Sequence, residues 1–415
     1  LIYEDNTSTL EFSNFDDQNE FQKKNIGLAI AAISQLPNIE VREFLKEQKH
    51  KSIYFPGRMQ KIEDGKLCSK MKPSNELYLD GSHNVDAAFN LIDSIGSSPL
   101  PGILIEKKNF PMDNLYFVAS SKSAGSKLKF KGKDIEVENL ENFDFSKANI
   151  TFFSAGGKIS EKYVPLAAKH SVVIDNSSYF RMQKDVPLVV PEVNSEALNK
   201  HKNIIANPNC STMQMVLPLK PLHDEYKIKR VIVSTYQAVS GAGKEPMDEL
   251  FDQSRDYLDG KKINPINFTK QIAFNLIPHI DSFDQDGYTK EELKMTNETK
   301  KILDNEINVS ATCVRVPVRT GHSESINIEF DNLYDFENII RILKNAPGCK
   351  VIDERNDGGY MTPLEAEGSY TTYISRIRKD NSNIKAINLW VVSDNLLKGA
   401  ALNTVQIAEC LMKKL

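Results

Sequence analysis

The sequence is poor in cysteine and tryptophan and carries no strong charge of either sign. Its 415 residues include 5 cysteines and 1 tryptophan, and the formal net charge is -4 at pH 7. The cysteines are far apart, so they suggest neither a metal cluster nor a disulfide framework and are typical of the reducing cytoplasm. The nearly balanced charge gives no indication of a nucleic-acid partner.

Long apolar runs are also absent. A membrane-spanning helix needs about 20 consecutive apolar residues, and no stretch reaches that length, so we expect no membrane segment. With 40% hydrophobic and 26% charged residues, the composition is that of a globular protein, and the length predicts two or three domains. Metal-ligand spacing of His, Cys, Asp and Glu does not occur, and we expect no metal site.

The stretch around Cys210 has the pattern of a strand-to-helix turn. An apolar run at residues 204–206 precedes Asn-Pro-Asn-Cys-Ser-Thr at residues 207–212, and Ser211 or Thr212 is a candidate cap for the following helix. A thiol at a helix N-terminus is expected to be more acidic than a free one, because exposed N–H groups stabilise the thiolate. Cys210 is therefore a candidate nucleophile, although most free cysteines are small core residues.

Two later stretches supply further candidate catalytic groups. Gln237 ends an alternating strand and precedes a glycine-rich turn, and Arg315 and His322 follow another strand. A Cys, a Gln, an Arg and a His in separate turns are the groups that acyl-thioester chemistry requires. The ordinary pKa of His322 lies close to working pH, which suits an acid/base, while its Gly and Ser neighbours also fit a plain loop residue.

These stretches, in this order and at this spacing, resemble those of aspartate-semialdehyde dehydrogenases, over residues 103–415. The resemblance implies NADPH-dependent reductive dephosphorylation of L-aspartyl 4-phosphate in lysine, methionine, threonine and diaminopimelate biosynthesis. It makes Cys210 the thioester-forming nucleophile, His322 the acid/base, Gln237 the residue that orients the acyl group and Asn209 part of the oxyanion hole. A sister reductase for N-acetylglutamyl phosphate, or a glyceraldehyde phosphate dehydrogenase, is the alternative.

The same resemblance implies the substrate contacts. Arg315 fits a bidentate clamp for the substrate α-carboxylate. Glu291 would bind the substrate amine, and Arg181 and Lys294 the phosphate. Glu291 and Lys294 are also spaced as an ordinary i,i+3 surface ion pair.

The implied cofactor is NADP. Small hydroxyls and a lysine follow a predicted strand at residues 115–119, where an acidic residue would instead bind the ribose 2′-OH of NAD. Further strands are predicted at residues 150–153 and 172–175. The implied cofactor-binding residues are Ser120, Ser121, Lys122, Ser123, Ser154, Ala155, Gly156, Ser240, Gly241, Gly243 and Asn395.

One expected element is missing. Residues 1–108 contain no Gly-x-x-Gly-x-x-Gly turn, which would hold the cofactor pyrophosphate at a helix N-terminus. We therefore predict an α/β protein with an incomplete Rossmann-type doubly wound parallel sheet, at residues 103–212 and 390–415, that binds NADP poorly. An α+β catalytic and dimerisation domain at residues 213–389 predicts a homodimer. The alternative is a non-catalytic or cofactor-deficient fusion product.

Residues 1–98 do not fit the dehydrogenase pattern and predict a small α/β fragment. Its turns at residues 57–60 and 80–84 resemble those of the C-terminal domain of folylpolyglutamate synthase, which would make Arg58, Asp80 and His83 nucleotide contacts. That family's phosphate-binding loop is absent, so we expect a remnant or fusion partner without ligase activity. A natural fusion and a defect in the recorded chain are both compatible with the sequence.

Overall fold

The computed structural model divides into two compact units, Leu1–Ala88 and Phe89–Leu415. Besides four short strands of the first unit, it describes residues 104–105, 108 and 110–413. The four strands form two antiparallel pairs, β1 with β2 and β3 with β4. They are β1 (Ile2–Asp5), β2 (Ser8–Glu11), β3 (Gln60–Ile62) and β4 (Leu77–Leu79). The predicted nucleotide contacts Arg58, Asp80 and His83 lie outside the described residues.

The cofactor half of the larger unit contains two three-stranded sheets. In one, β5 pairs parallel with β7, and β6 pairs antiparallel with β7; in the other, β8, β9 and β10 are all parallel. These strands are β5 (Phe117–Ala119), β6 (Lys127–Phe130), β7 (Lys133–Asn139), β8 (Ile150–Phe153), β9 (Val172–Asp175) and β10 (Ile204–Ala206). Strands β8, β9 and β10 have the predicted bounds, and their apolar runs are buried or half-buried.

The β6–β7 hairpin was not predicted from the sequence. Its strands carry many charged residues and are largely exposed, so they show no clean apolar alternation. The two turn residues, Lys131 and Gly132, both have positive φ, 48° and 75°. That is the geometry of a type I′ turn, which usually has Asn or Asp at the first position. Lys131 occupies that position here, so the sequence does not show the usual turn pattern.

The described part of the chain contains eight α-helices, including the predicted helix that follows the Cys210 turn. They are α1 (Gly157–Ala167), α2 (Pro191–Asn194), α3 (Cys210–Tyr226), α4 (Lys244–Leu258), α5 (Lys290–Ile302), α6 (Phe336–Lys344), α7 (Pro363–Ala366) and α8 (Leu402–Met412). A π-helical turn, Leu397–Ala401, immediately precedes α8. None of the described helices combines the length and the hydropathy of a membrane span.

The second half is built on a six-stranded mixed sheet. Its strand order is β12-β11-β13-β16-β15-β14. The strands are β11 (Ile228–Gln237), β12 (Asn308–Arg315), β13 (His322–Phe330), β14 (Cys349–Val351), β15 (Thr372–Lys379) and β16 (Ala386–Ser393). One face packs on α3, α5 and α6 through an apolar core that includes Met215, Met295, Ile326 and Ile339. The other face stays partly exposed, with Ile232 at 40%.

Candidate active site

Cys210 is the first residue of α3 and follows β10 after a three-residue turn, as predicted. The predicted cap is wrong: Ser211 and Thr212 donate their backbone N–H groups, at 3.0 and 3.3 Å, to Oδ1 of Asn209. Asn209 has extended backbone angles outside the helix, which is the position from which a side chain caps.

The Cys210 thiol is not acidic in this site. Burial raises its pKa to about 12, and the negative charge of Glu291 acts in the same direction. Arg181, Arg315 and the N–H of Ser211 oppose the rise without reversing it. The expectation of an acidic thiol is therefore wrong for the unliganded site, because desolvation of the thiolate outweighs the helix N-terminus.

Glu291 hydrogen-bonds to three of the other predicted residues. Its Oε1 accepts hydrogen bonds from Asn209 Nδ2 (2.9 Å) and Gln237 Nε2 (3.0 Å), and its Oε2 accepts one from Lys294 Nζ (3.1 Å). Burial raises the pKa of Glu291, but Lys294 and the two amides outweigh burial, and the pKa lies below its ordinary value. The i,i+3 pair with Lys294 does form, yet Glu291 is only 5% exposed, so it is no ordinary surface pair.

His322 and Arg315 meet at the backbone of Ala238. The ring Nδ1 of His322 accepts a hydrogen bond from Ala238 N (3.1 Å), and Arg315 Nη1 donates to Ala238 O (2.6 Å). Burial and the charge of Arg315 lower the pKa of His322 to about 3, so its ring is neutral. Because Nδ1 is an acceptor, the ring proton lies on Nε2, which has no hydrogen-bond partner within the described part of the chain.

Arg181 is connected to the turn before Cys210 through Glu298, a residue that the sequence pattern does not identify as part of the site. Arg181 Nη1 lies 3.1 Å from Oε1 of Glu298, whose Oε2 accepts a 2.6 Å hydrogen bond from Asn209 N. Glu298 lies two helical turns after Glu291 on α5, so both face the same side. The spacing can be read from the sequence, but it does not predict a buried glutamate, because charged residues on a helix usually face solvent.

Two of the predicted cofactor residues, Ser240 and Asn395, lie beside the start of β13. Oδ1 of Asn395 accepts a hydrogen bond from the backbone N–H of Gly321 (2.8 Å), and Nδ2 of Asn395 donates to Ser240 Oγ (3.0 Å). A Cβ on Gly241 would lie 3.1 Å from Nε2 of His322 and 3.2 Å from Nη1 of Arg315, so a larger residue at this position would require those side chains to shift. Gly243, at φ 108°, precedes α4.

The other predicted cofactor residues follow β5 and β8. Ser120, Ser154 and Ala155 line one cavity of about 710 Å³, whereas Ser121, Lys122 and Ser123 lie in the exposed turn beside it and do not line it. Gly156, at φ 86°, precedes the first turn of α1. The N–H groups of that turn have no helical acceptor and are suited to an anion. In the part of the chain that the structure describes, no cluster of His, Cys, Asp or Glu is arranged to hold a metal ion.

Known proteins match most of the larger unit. Residues 102–201 match the family model for the semialdehyde dehydrogenase NAD binding domain, and residues 219–398 match that for the semialdehyde dehydrogenase dimerisation domain. Aspartate-semialdehyde dehydrogenase of Aquifex aeolicus is 52% identical over 318 residues, which cover 75% of this chain and 93% of that protein. This chain belongs to the aspartate-semialdehyde dehydrogenase family.

Other aspartate-semialdehyde dehydrogenases also match this chain. The Bacillus subtilis protein is 50% identical over 319 residues, covering 74% of this chain and 92% of its own length. The crystal structure of aspartate semialdehyde dehydrogenase II from Vibrio cholerae matches with a TM-score of 0.74 and 46% identity, covering 76% of this chain and 95% of that one. The predicted α/β fold with a Rossmann-type sheet and an α+β dimerisation domain is confirmed, and the chain is an enzyme with a nicotinamide-cofactor domain.

Proposed function

We propose that this dehydrogenase reduces L-aspartyl 4-phosphate to L-aspartate 4-semialdehyde through a thioester on Cys210. Sulfur attacks the acyl carbon, the bond from that carbon to the phosphate oxygen breaks, and the departing phosphate takes up the thiol proton. Bound NADPH supplies a hydride to the thioester carbon. The resulting thiohemiacetal collapses to the aldehyde and a Cys210 thiolate, which takes a proton from solvent. The position of Cys210 beside Glu291, Arg181 and Arg315 carries the proposal.

His322 acts in this mechanism as a hydrogen-bond donor. Negative charge develops on the substrate carbonyl oxygen in both steps, and donors placed there stabilise it. The Nε2–H of His322 is such a donor, because Nδ1 is engaged by Ala238 N. Asn209 is the second donor we propose, through the N–H of Nδ2 that Glu291 does not use. The role of His322 as a base stays a prediction. A base must accept a proton, and Nε2 can do so only in a form of the ring in which it carries none.

The charges of the site suit the substrate. Glu291 is held as a carboxylate and is our candidate for binding the substrate amine. Arg315 commits Nη1 to Ala238 O, and we assign its other donors to the α-carboxylate. Arg181 and Lys294 are our candidates for binding the substrate phosphate. The carboxylates that pair with these two side chains would compete with the phosphate for the same cations. Gln237, fixed by Glu291, would orient the acyl group.

Trapping the thioester tests this proposal. The protein is incubated with L-aspartyl 4-phosphate in the absence of NADPH, and its intact mass and its Cys210 peptide are measured. We expect the mass of one aspartyl group on Cys210 and its absence in Cys210→Ala. No adduct, or an adduct formed only with N-acetylglutamyl phosphate, would contradict the proposed substrate.

We further propose NADP as the cofactor. Ser120, Ser121 and Ser123 with Lys122 offer hydroxyls and a cation at the carboxyl end of β5, where a 2′-phosphate would bind, and no acidic residue occurs among residues 117–125. Gly156 and the first turn of α1 fit an anion. Among the matched structures, an enzyme from Candida albicans is described with NADP; it is 26% identical, with a TM-score of 0.60, covering 76% of this chain and 95% of that one.

A cofactor-deficient dehydrogenase is the second candidate, and the missing glycine turn favours it. Each backbone N–H bond to a charged acceptor contributes roughly 1.5 to 3 kcal/mol. Losing two such bonds predicts about a hundredfold or greater loss of NADP affinity. Calorimetric titration tests this. Micromolar NADPH affinity would argue against the deficiency, and NAD binding as tightly as NADP would argue against the 2′-phosphate site.

The remaining assignments are proposals for the whole chain. We propose residues 103–212 with 390–415 as the cofactor domain and residues 213–389 as the catalytic and dimerisation domain of a cytoplasmic homodimer. Residues 1–98 would be a remnant resembling folylpolyglutamate synthase, without ligase activity. Support comes from strand β4, which immediately precedes the Asp-Gly-Ser-His-Asn turn. Nucleotide binding by residues 1–98 expressed alone would show retained function.

A further inference from the structure

Three polar side chains lie side by side at the carboxyl edge of the β8–β9–β10 sheet. Ser154, Asn176 and Asn207 are the first residues after β8, β9 and β10, and these three strands are parallel neighbours. Adjacent strands lie about 4.8 Å apart, so side chains that follow them can hydrogen-bond to one another. Asn207 Nδ2 lies 2.7 Å from Asn176 Oδ1, and Asn176 Nδ2 lies 3.5 Å from Ser154 Oγ. The three residues therefore form a chain of hydrogen bonds across the sheet.

The chain begins at a buried lysine. Lys398, in the π-helical turn, is only 1% exposed. Its Nζ contacts four oxygen atoms, which are both carboxylate oxygens of Glu192 (2.8 and 2.7 Å), Oδ1 of Asn403 (2.9 Å) and Oε1 of Gln406 (2.8 Å). Burial lowers the pKa of Lys398, and the carboxylate of Glu192 opposes that fall. Asn403 Nδ2 in turn donates to Asn207 Oδ1 at 2.7 Å.

The direction of the chain is fixed by two backbone carbonyls as well as by the lysine. Asn403 Nδ2 donates to Val189 O (2.9 Å), and Asn207 Nδ2 donates to Ala400 O (3.3 Å). A carbonyl oxygen can only accept, and an ammonium can only donate. The oxygen of the Asn403 amide therefore faces Lys398, and every amide of the chain donates away from it.

The far end of the chain presents donors to the cavity of about 710 Å³. Asn176 and Ser154 both line that cavity. An amide nitrogen carries two protons, and a hydroxyl that accepts a bond keeps its own proton. Asn176 Nδ2 and Ser154 Oγ can therefore each donate to a ligand in the cavity, so this end of the chain is suited to an oxygen acceptor.

We propose that Lys398 is a positioning residue for cofactor binding. It orients the three asparagine amides, so that the chain ends in donors for an oxygen atom of the nicotinamide cofactor. This inference rests on the proposed function, because it assigns the cavity to that cofactor. The π-helical turn supports it, since such turns occur often at functional sites, and this one buries the lysine from which the chain starts.

A matched pair of variants tests the direction of the chain. Asn403→Asp keeps an oxygen for Lys398 but loses the Nδ2 donor to Asn207. Gln406→Glu, the control, makes the same change at another oxygen partner of Lys398, and the donor that it loses serves Glu192 instead of the chain. Calorimetric titration should show NADPH binding at least tenfold weaker in Asn403→Asp than in Gln406→Glu. Equal affinities would overturn the proposal.

Neutron diffraction of the deuterated parent protein gives a readout that needs no cofactor. Deuterons distinguish the nitrogen of an amide from its oxygen. We expect the Nδ2 deuterons of Asn403 to point at Asn207 and those of Asn207 to point at Asn176. A reversed amide at either position would overturn the proposal, including the case in which Asn403→Asp fails to fold.

Failure of this inference remains distinguishable from failure of the proposed reaction. Thioester formation on Cys210 needs no NADPH and is measured on the parent chain. A parent that forms the thioester but shows no measurable NADPH binding would overturn the role of Lys398 toward the cofactor and leave the covalent step standing.

Discussion

Glu298 accepts a 2.6 Å hydrogen bond from the backbone N–H of Asn209, the residue immediately before the nucleophile. Its other carboxylate oxygen pairs with Arg181. Burial raises the pKa of Glu298, and Arg181 and the Asn209 N–H oppose that rise. Helix α5 thus fixes the start of α3 through one buried charge, and the same charge positions the arginine assigned to phosphate.

Removing this carboxylate should destabilise the fold. In Glu298→Ala, Arg181 stays buried without its partner, and breaking such a pair costs about 3 to 5 kcal/mol. Urea unfolding measures the loss. The matched control is Asp185→Ala, whose partner Lys202 is 76% exposed; an exposed pair contributes about 0 to 1 kcal/mol. Equal losses in the two variants would mean that the buried pair has no special role.

Substitution of Cys210 should distinguish substrate binding from the chemical step. Cys210→Ala should abolish reduction of the acyl phosphate, because no thioester forms. Cys210→Ser should retain only a trace, since a hydroxyl is a much weaker nucleophile than a thiolate. Steady-state NADPH oxidation and substrate binding are both measured. Turnover close to that of the parent in the Ala variant would refute the covalent mechanism.

More of the fold than of the site's chemistry could be predicted from the sequence. Strands β8 and β9 have the predicted bounds, because local turn and apolar patterns determine them. The partner of Glu298 and the neutral state of His322 depend on burial and on distant charges, which no local pattern contains. The close approach of Gly399 to Cys210 is equally invisible in the local sequence: a Cβ on Gly399 would lie 2.8 Å from Cβ of Cys210, although the two residues are far apart in the chain.

The raised thiol pKa predicts a particular pH dependence of alkylation. At any pH below a pKa of about 12, the thiolate fraction rises about tenfold per pH unit. The rate of Cys210 alkylation in the unliganded protein should therefore climb through pH 7 to 10 without a plateau. Peptide mapping after timed iodoacetamide treatment measures it. A plateau near pH 8 would show an acidic thiol instead.

Burial is the larger cause of the raised Cys210 pKa, and the same experiment measures the additional contribution of Glu291. Glu291 is the charged group that raises the pKa of Cys210, so Glu291→Gln should speed alkylation at pH 8. Glu306→Gln, at an exposed position outside the site, is the control and should leave the rate unchanged.

Arg315→Lys should raise the KM for the acyl phosphate far more than the KM for NADPH. A lysine keeps the positive charge but loses the planar pair of donors that a carboxylate accepts. Loss of such a buried contact costs on the order of 2 to 5 kcal/mol. The control is Arg230→Lys on the exposed part of β11. An equal rise of both KM values would argue against a carboxylate clamp.

The open face of the six-stranded sheet should be the dimer interface. Ile232 is 40% exposed there, and Tyr236 and Trp390 pack with ring centroids 5.5 Å apart on the half-buried positions of the same sheet. Exposed apolar patches of this kind mark interaction surfaces, and a second copy is the partner we propose because the dimerisation-domain family model matches residues 219–398.

A charge at the centre of this face should separate the subunits. Ile232→Asp would have to bury a carboxylate without a partner on association, which is strongly unfavourable. Ile384→Asp is the matched control, because Ile384 is 80% exposed in the loop between β15 and β16. Sedimentation velocity at micromolar concentration should show a dimer for the parent and for Ile384→Asp, and mainly monomer for Ile232→Asp. A monomeric parent, or a dimer that Ile232→Asp leaves intact, would place the interface elsewhere.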